Sequence, residues 1–231
     1  MDSLGDRMKQ YEAATYMVLP RRTYTIIRVD GRAFHTLLRG SKKPFDWHFI
    51  EVMDKVTKEL AKAVDGSVVA YTQSDEISLV LQDFKNHNTT AWFGGVIQKQ
   101  ASLAASIATY HFNTNGYGGI GLFDARTYTI PSKTEVMNYL VWRQKDAQRN
   151  ATHMIARAFF SHKALQGKKT WQMVQMLEDT DIFLDEYPPR ARNGGWAIRG
   201  YTEDSPWVVN NAPDFSAKPG SSLDGIIPTL E

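Results

Sequence analysis

Two aspartates stand where predicted strands end. Asp30 closes the β-prone run 22–30, and Asp75 follows the β-prone run 67–72. Two such loops can bring acidic oxygens to one point, and Mg²⁺ typically binds one or two carboxylates together with substrate phosphates. The pair therefore suggests metal-assisted phosphoryl chemistry. A single aspartate at a strand end is more often a turn former or a helix cap, so this interpretation depends on the two acids meeting in the fold.

The elements that would position these acids follow the order βαββαβ. Strands are predicted over 22–30, 67–72, 77–81 and 125–130, and helices over about 46–64, 91–112 and 132–160. This order predicts an α+β, ferredoxin-like fold, in which a four-stranded antiparallel sheet carries helices on one face. The first strand would then end beside the central hairpin, which makes Asp30 and Asp75 neighbours. Polymerase palms and nucleotidyl cyclases share this fold, so it leaves the reaction open.

The first strand has two chemically different faces. Alternation places Ile27 and Val29 on one face and Ile26, Arg28 and Asp30 on the other. If helices cover the first face, the side chains of Arg28 and Asp30 lie on the other, open face of the sheet.

Capping residues and apolar spacing mark the helices. Asp46 and Ser132 are the predicted N-caps of the first and third helices. In the second helix one apolar stripe is expected to contain Val96, Leu103, Ile107 and Tyr110.

Composition and the positions of turn-forming residues predict how the chain is divided into domains. We expect a palm catalytic domain over 1–131, a helical and hairpin extension over 132–210, and a loosely ordered tail over 211–231. The chain has no cysteine, which excludes disulfides and thiolate zinc sites. No apolar run approaches the ~20 residues that cross a bilayer, and the first residues lack a secretory pattern. A cytoplasmic protein is the expectation.

The small net charge of +2 hides a basic segment. Residues 126–170 contain nine Lys or Arg residues against only Glu135 and Asp146. Such a segment fits a phosphate-rich partner, although a solvated helix face explains the charge equally well. Close to the predicted acidic site, Gly31 lets the backbone approach an ion or a phosphate. Further cations there are Arg28, Arg32, Lys42 and Lys43.

Four separated motifs together resemble one enzyme family. They are Arg-Val-Asp-Gly-Arg-Ala-Phe-His at 28–35, Lys43-Pro44, Ala-Tyr-Thr-Gln-Ser-Asp-Glu at 70–76, and Tyr-Leu-Val-Trp-Arg-Gln at 139–144. In this order they closely resemble the tRNA(His) guanylyltransferases and the related guanylyltransferase-like 3′–5′ polymerases. The resemblance covers roughly residues 8–165.

The resemblance implies a polymerase palm that adds nucleotides to the 5′ end of tRNA, opposite in direction to ordinary polymerases. It also implies two Mg²⁺ ions, GTP and ATP as substrates, contact with the acceptor stem of tRNA, and a homotetramer built from two dimers.

The family's site residues transfer to this chain by motif. Asp30, the Gly31 carbonyl and Asp75 would hold the metals, and Glu76 would support them as a catalytic residue. The nucleotide site would contain Asp30, Gly31, Arg32, Ala33, Phe34, His35, Lys43, Ser74 and Asp75. The RNA contacts would come from Arg143, Lys145, Arg149, Asn150 and Arg157.

One segment departs from the family pattern. Eukaryotic members carry His-Ile-Asn-Asn-Leu-Tyr-Asn where this chain has Gln-Arg-Asn-Ala-Thr-His-Met at 148–154, so only Asn150 is in register. This favours the bacterial and archaeal branch, which repairs truncated 5′ ends by templated pairing, over G addition specific for tRNA(His). Two alternatives stay open: a nucleotidyl cyclase on the same palm, and a non-catalytic tRNA-binding module.

Overall fold

The computed structural model describes residues 3–200, 206–216 and 225–229, and within them six strands form one antiparallel sheet. The strands are β1 (Tyr24–Gly31), β2 (Ser67–Gln73), β3 (Glu76–Leu81), β4 (Phe123–Ile130), β5 (Gly195–Arg199) and β6 (Trp207–Asn211). Their order across the sheet is β4-β1-β3-β2-β5-β6. The first four strands have the ferredoxin-like order, so the predicted α+β palm is confirmed.

Helices connect and cover these strands. They are α1 (Leu4–Ala13), α2 (Phe34–Leu37), α3 (Trp47–Ala63), α4 (Ile97–Thr114), α5 (Lys133–Phe159), α6 (His162–Leu165), α7 (Thr170–Glu178) and α8 (Pro189–Asn193). Both predicted caps are confirmed: Asp46 accepts from the amide of Phe49 at 3.1 Å, and Ser132 accepts from that of Glu135 at 3.2 Å. In the described residues no helix combines the length and apolarity needed to span a membrane.

One face of the sheet is closed by α3 and α4. Ile27 and Val29 of β1 are fully buried in this core, together with apolar residues of α3. The stripe predicted for α4 is only partly right, because Val96 is buried and Ile107 packs on the core, but Leu103 and Tyr110 are exposed. The buried side of α4 instead contains Gln100, Ala104, Ala108 and Phe112. Small alanine side chains let the helix approach the sheet closely, which apolar spacing alone does not reveal.

The other face of the sheet is covered by α5. Near the start of α5, Val136 and Leu140 pack on Tyr24 and Ile26 of β1 in a second core cluster. The sequence predicted that this face of the sheet would be open. In the structure α5 covers part of it, and only its polar end stays accessible.

The extension belongs to the same sheet as the palm. The hairpin β5–β6 pairs antiparallel with the free edge of β2, from Val69↔Ile198 to Thr72↔Gly195. Of the predicted loose tail, residues 211–216 and 225–229 are described, and there Phe215 and Ile227 are buried in the α5-side core. The boundaries at 131 and 210 remain predictions.

Candidate active site

The two predicted acids lie at adjacent strand ends. Asp30 pairs with Glu76 in the antiparallel register of β1 and β3. Asp75 belongs to the tight turn between β2 and β3, where Ser74 adopts a positive φ of 49°. The amide of Gly31 donates to the carbonyl of Asp75 at 3.1 Å, which ties this turn to the end of β1.

Gly31 allows the Asp75 carboxylate to lie against the backbone. A Cβ atom at this position would stand 2.8 Å from Asp75 Oδ2 and 2.5 Å from the ring of Phe34, closer than real Cβ contacts. Burial raises the pKa of Asp75, hydrogen bonds from its own amide and from Ser74 lower it in part, and the Asp30 carboxylate raises it further. Two carboxylates thus share one partly desolvated site, which an added cation would stabilise.

A polar cleft of about 470 Å³ opens at this point. It is lined by Arg28, Asp30, Gln73, Ser74, Asp75, Glu76, Trp142, Arg143, Asp146, Arg149 and Asn150. The Nε atom of Arg28 is buried without a hydrogen-bond acceptor among the described residues. An anionic oxygen in the cleft would supply that missing acceptor.

Glu76 is held by an arginine of α5. The Nε and Nη2 atoms of Arg143 donate to its two carboxylate oxygens, both at 2.7 Å, and Nη2 also donates to Asp146 at 2.7 Å. Burial lowers the pKa of Arg143, but Glu76 and Asp146 raise it, and the net shift is upward, so the guanidinium stays charged. This bidentate pair fixes the Glu76 carboxylate in the wall of the cleft.

The residues predicted to touch RNA divide into two groups. Arg143 is only 5% exposed and pairs with Glu76 and Asp146, which favours an internal role, so its RNA contact stays a prediction. Lys145, Arg149 and Arg157 are exposed on α5. Asn150 is half-buried and lies between the polar cleft and the pocket beside it.

The predicted nucleotide segment runs from β1 into α2. Ala33 starts α2 in the left-handed region at φ 56°, and Arg32 and His35 are exposed beside it. The side chain of Phe34 is 2% exposed and packs on other core aromatics, so it anchors this turn and is not available to a ligand. Lys43 is exposed but does not line the polar cleft.

A second pocket opens next to the polar cleft. It shares Gln73, Ser74 and Asn150 with the cleft. Most of its remaining lining is apolar or aromatic: Leu38, Phe45, Phe49, Ile50, Ala151 and Met154, with Ser41, Asp46 and Arg190 as polar groups. An apolar pocket with a few polar groups suits a flat heterocycle. The two pockets together set an apolar wall beside a charged, polar cleft.

The donor set at the strand ends fits a hard divalent ion. Among the described residues there is no group of three or more Asp, Glu, His or Cys side chains that could hold a metal. Two carboxylates beside a glycine backbone, in a cleft with space for substrate, are nevertheless the set that Mg²⁺ uses when phosphates complete its shell.

Sequence reasoning missed several residues of this site. Asp146 bridges Arg143 and Arg149, and Gln73 lines both pockets. The i,i+3 spacing of Arg143, Asp146 and Arg149 on a helix was a readable signal for an ion-pair chain. The link from Arg143 to Glu76, 67 residues away, had no local signal.

Proteins of one known family resemble this chain in sequence and in structure. A family model described as tRNAHis guanylyltransferase matches residues 5–131. A bacterial tRNA(His) guanylyltransferase-like protein, solved in complex with ATP, is 35% identical with a TM-score of 0.91, over 97% of this chain and 99% of that one. A second such structure, in complex with GTP, is 36% identical with a TM-score of 0.83, over 93% and 94% of the two chains.

Curated relatives agree with the structural matches. Uncharacterized protein R259 of Acanthamoeba polyphaga mimivirus is 32% identical over 216 residues, 81% of this chain and 74% of that protein. The chain spans about half the length of curated tRNA(His) guanylyltransferases that it matches.

Proposed function

Because this chain belongs to the tRNA(His) guanylyltransferase family, we propose that it is a Mg²⁺-dependent nucleotidyltransferase that extends the 5′ end of tRNA in the 3′→5′ direction. The proposal is carried by one observation: Asp30 and Asp75 meet at adjacent strand ends, in a polar cleft joined to an apolar pocket. This pairing of sites suits a nucleoside triphosphate.

Asp30, Asp75 and the Gly31 carbonyl would hold the metal, two ions being the expectation for this family. Bound Mg²⁺ would neutralise phosphate charge and favour ionisation of the attacking hydroxyl. Arg28 has a free donor in the same cleft and would donate it to a phosphate oxygen. Arg143 would keep the Glu76 carboxylate fixed in the cleft wall beside the metal site.

The two pockets suggest how a GTP or ATP substrate would lie. Its triphosphate would occupy the polar cleft, and its base would occupy the pocket lined by Phe45, Phe49 and Met154. The shared residues Ser74 and Asn150 would lie near the ribose. Lys43 and His35 are exposed, and His35 is near enough to Asp75 to lower the pKa of that carboxyl, so both side chains would be free to meet substrate phosphates.

Templated repair of truncated 5′ ends is the activity that we propose over G addition specific for tRNA(His). Gln148 stands where eukaryotic members have the first histidine of their motif. Its side chain donates to Asn193 of α8 at 3.1 Å, so it already has a partner within the chain at the surface. Base pairing with the opposite strand of the acceptor stem would then select the nucleotide.

Assembly into a homotetramer and a cytoplasmic location remain proposals. Helix α1 has no buried residue, and Leu4, Met8 and Tyr11 form an exposed apolar stripe at helical spacing. A second copy of the chain would cover such a stripe. Light scattering of Tyr11→Ser against wild type tests this, with a smaller particle as the expected result.

The activity itself is tested with a panel of tRNAs. Each is truncated by one nucleotide at a 5′-triphosphorylated end, and the opposing 3′-strand base is A, C, G or U. Wild type should add the complementary nucleotide in each case and only with Mg²⁺, whereas Asp75→Asn should add none.

Each other outcome has a defined meaning. Addition of G whatever the opposing base would replace templated repair by G-specific addition. Pyrophosphate release from nucleotide alone, without RNA growth, would favour a cyclase. Binding of tRNA with no growth on any substrate would favour a non-catalytic module.

A further inference from the structure

An acid-free stretch follows the active-site part of α5. Residues 147–177 contain five Lys or Arg residues and no Asp or Glu. Of these cations, Arg157, Lys168 and Lys169 form no ion pair within the described part of the chain. A free cationic surface of this kind attracts a polyanion.

The cations lie on one connected surface. Arg149, His153 and Arg157 follow each other at i,i+4 spacing along one side of α5. His153 contacts the Thr170 hydroxyl at 3.1 Å, which joins this side of α5 to the first turn of α7. Lys168 and Lys169 precede that turn and Trp171 lies in it. We call Arg149, His153, Arg157, Lys168, Lys169 and Trp171 the α5–α7 surface.

His153 lies between two arginines of this surface. Burial lowers the pKa of His153, and Arg157 and Arg149 lower it further. The shift agrees with the geometry, in which two arginines flank His153 along α5 and two exposed lysines lie beside them.

An exposed tryptophan stands at the far end of the surface. Trp171 is 62% exposed, while the apolar residues Met173 and Leu177 of the same helix are buried. Its ring stacks on no other aromatic ring of the described residues. A tryptophan among lysines offers stacking to a base and charge to the adjoining phosphates, as proteins that bind single-stranded nucleic acids do.

The near end of the surface begins in the catalytic cleft. Arg149 lines that cleft, and Arg157 lies about 12 Å further along the helix at 1.5 Å per residue. A stacked single strand advances about 3.4 Å per nucleotide, so about four nucleotides cover this distance. In tRNA the unpaired 3′ tail leaves the acceptor stem beside the 5′ end that the cleft would receive.

We propose that the α5–α7 surface binds the unpaired 3′ tail of the tRNA and that Trp171 stacks on one of its bases. This inference rests on the proposed function only for the position of the 5′ end. A duplex stem would satisfy the cations but would leave the tryptophan without a base to stack on.

The test compares two RNAs and four proteins by equilibrium binding. One RNA is a full tRNA, and the other is the same tRNA with its acceptor stem cut flush so that the tail is missing. The proteins are wild type, Trp171→Ala, Trp171→Phe and Tyr110→Ala. Tyr110 is the matched control, since it is 64% exposed on α4, at the opposite face of the sheet.

Trp171→Ala should weaken binding of the full tRNA about tenfold, as expected for loss of one stacked base. It should leave binding of the flush-cut tRNA unchanged, and Trp171→Phe and Tyr110→Ala should resemble wild type. Combined Lys168→Gln and Lys169→Gln should reduce the slope of log Kd against log salt by about 1.4.

Three results would overturn the inference. The first is an equal loss of affinity for both RNAs in Trp171→Ala, and the second is no loss of affinity in that variant. The third is unchanged RNA binding by Trp171→Ala together with a changed particle size by light scattering, which would mark an interface between copies of the chain. Because binding is measured without catalysis, a wild-type protein that fails to extend any tRNA would refute the proposed function alone.

Discussion

The two faces of the sheet perform different tasks with residues of the same strands. On the α3–α4 side, β1 contributes Ile27 and Val29, both fully buried. On the α5 side it contributes Ile26 to a core, then Arg28 and Asp30 to the polar cleft. One face of β1 therefore belongs to a core, while the other changes from buried core at Ile26 to cleft lining at Arg28, two residues later. Substitutions on the closed face should alter stability, and those at the polar end should alter function first.

The largest stability effect is expected where the polar end itself is buried. Arg143→Met would leave Glu76 charged, desolvated and unpaired, and should lower the free energy of unfolding by about 4 kcal/mol. Urea denaturation measures this. The double variant Arg143→Met with Glu76→Gln should recover most of the loss, because it removes both charges. If the double variant is as unstable as the single one, the pair does not explain the effect.

A core substitution on the closed face should come next. Leu79 of β3 is fully buried there, and Leu79→Ala should cost about 3 kcal/mol through lost burial and the cavity left behind. Nucleotide affinity, measured by calorimetry well below the melting temperature, should stay within twofold of wild type. A large loss of affinity in a folded variant would show that the two faces are not separable in this way.

A smaller loss is expected for the tie between α5 and the C-terminal residues. Gln144 donates to the carbonyl of Pro213 at 2.7 Å and accepts from the amide of Phe215 at 2.9 Å. Gln144→Leu removes these two bonds, and a longer one to the carbonyl of Asn193 at 3.3 Å, from a buried position and should cost about 2 kcal/mol in chemical denaturation. Gln148→Leu, which loses one exposed bond to Asn193, is the control and should change stability little.

The smallest effect has the opposite sign and depends on pH. The pKa of Asp75 is raised in the folded protein, first by burial, so its ionisation costs stability as pH rises through that value. Without divalent ions, Asp75→Asn should therefore melt above wild type at pH 7. The difference should vanish as pH falls below the ordinary carboxyl range near 4. Added Mg²⁺ should raise the melting temperature of wild type only. A variant that melts below wild type at pH 7 would contradict this origin of the shift.

Much of this architecture was readable from local patterns. The alternation in β1 predicted both faces, and side-chain oxygens before helical runs located the caps at Asp46 and Ser132. The stripe of α4 was only partly right because the close approach to the sheet depends on Ala104 and Ala108, which carry little hydrophobic signal. The Arg143–Glu76 clamp joins residues distant in sequence, and a charged arginine on a helix reads as an RNA contact until its burial is known.

The central claim is that position on the sheet, and not acidity alone, makes Asp30 functional. Asp30 and Asp124 are direct partners across β1 and β4, but only Asp30 lines the cleft, and the side chain of Asp124 is 59% exposed. The decisive measurement is the single-turnover rate of 5′ extension of a truncated tRNA by Asp30→Asn and by Asp124→Asn. The account predicts a loss of about 10³-fold for Asp30→Asn and less than threefold for Asp124→Asn. Equal rates in the two variants, whether both high or both low, would contradict it.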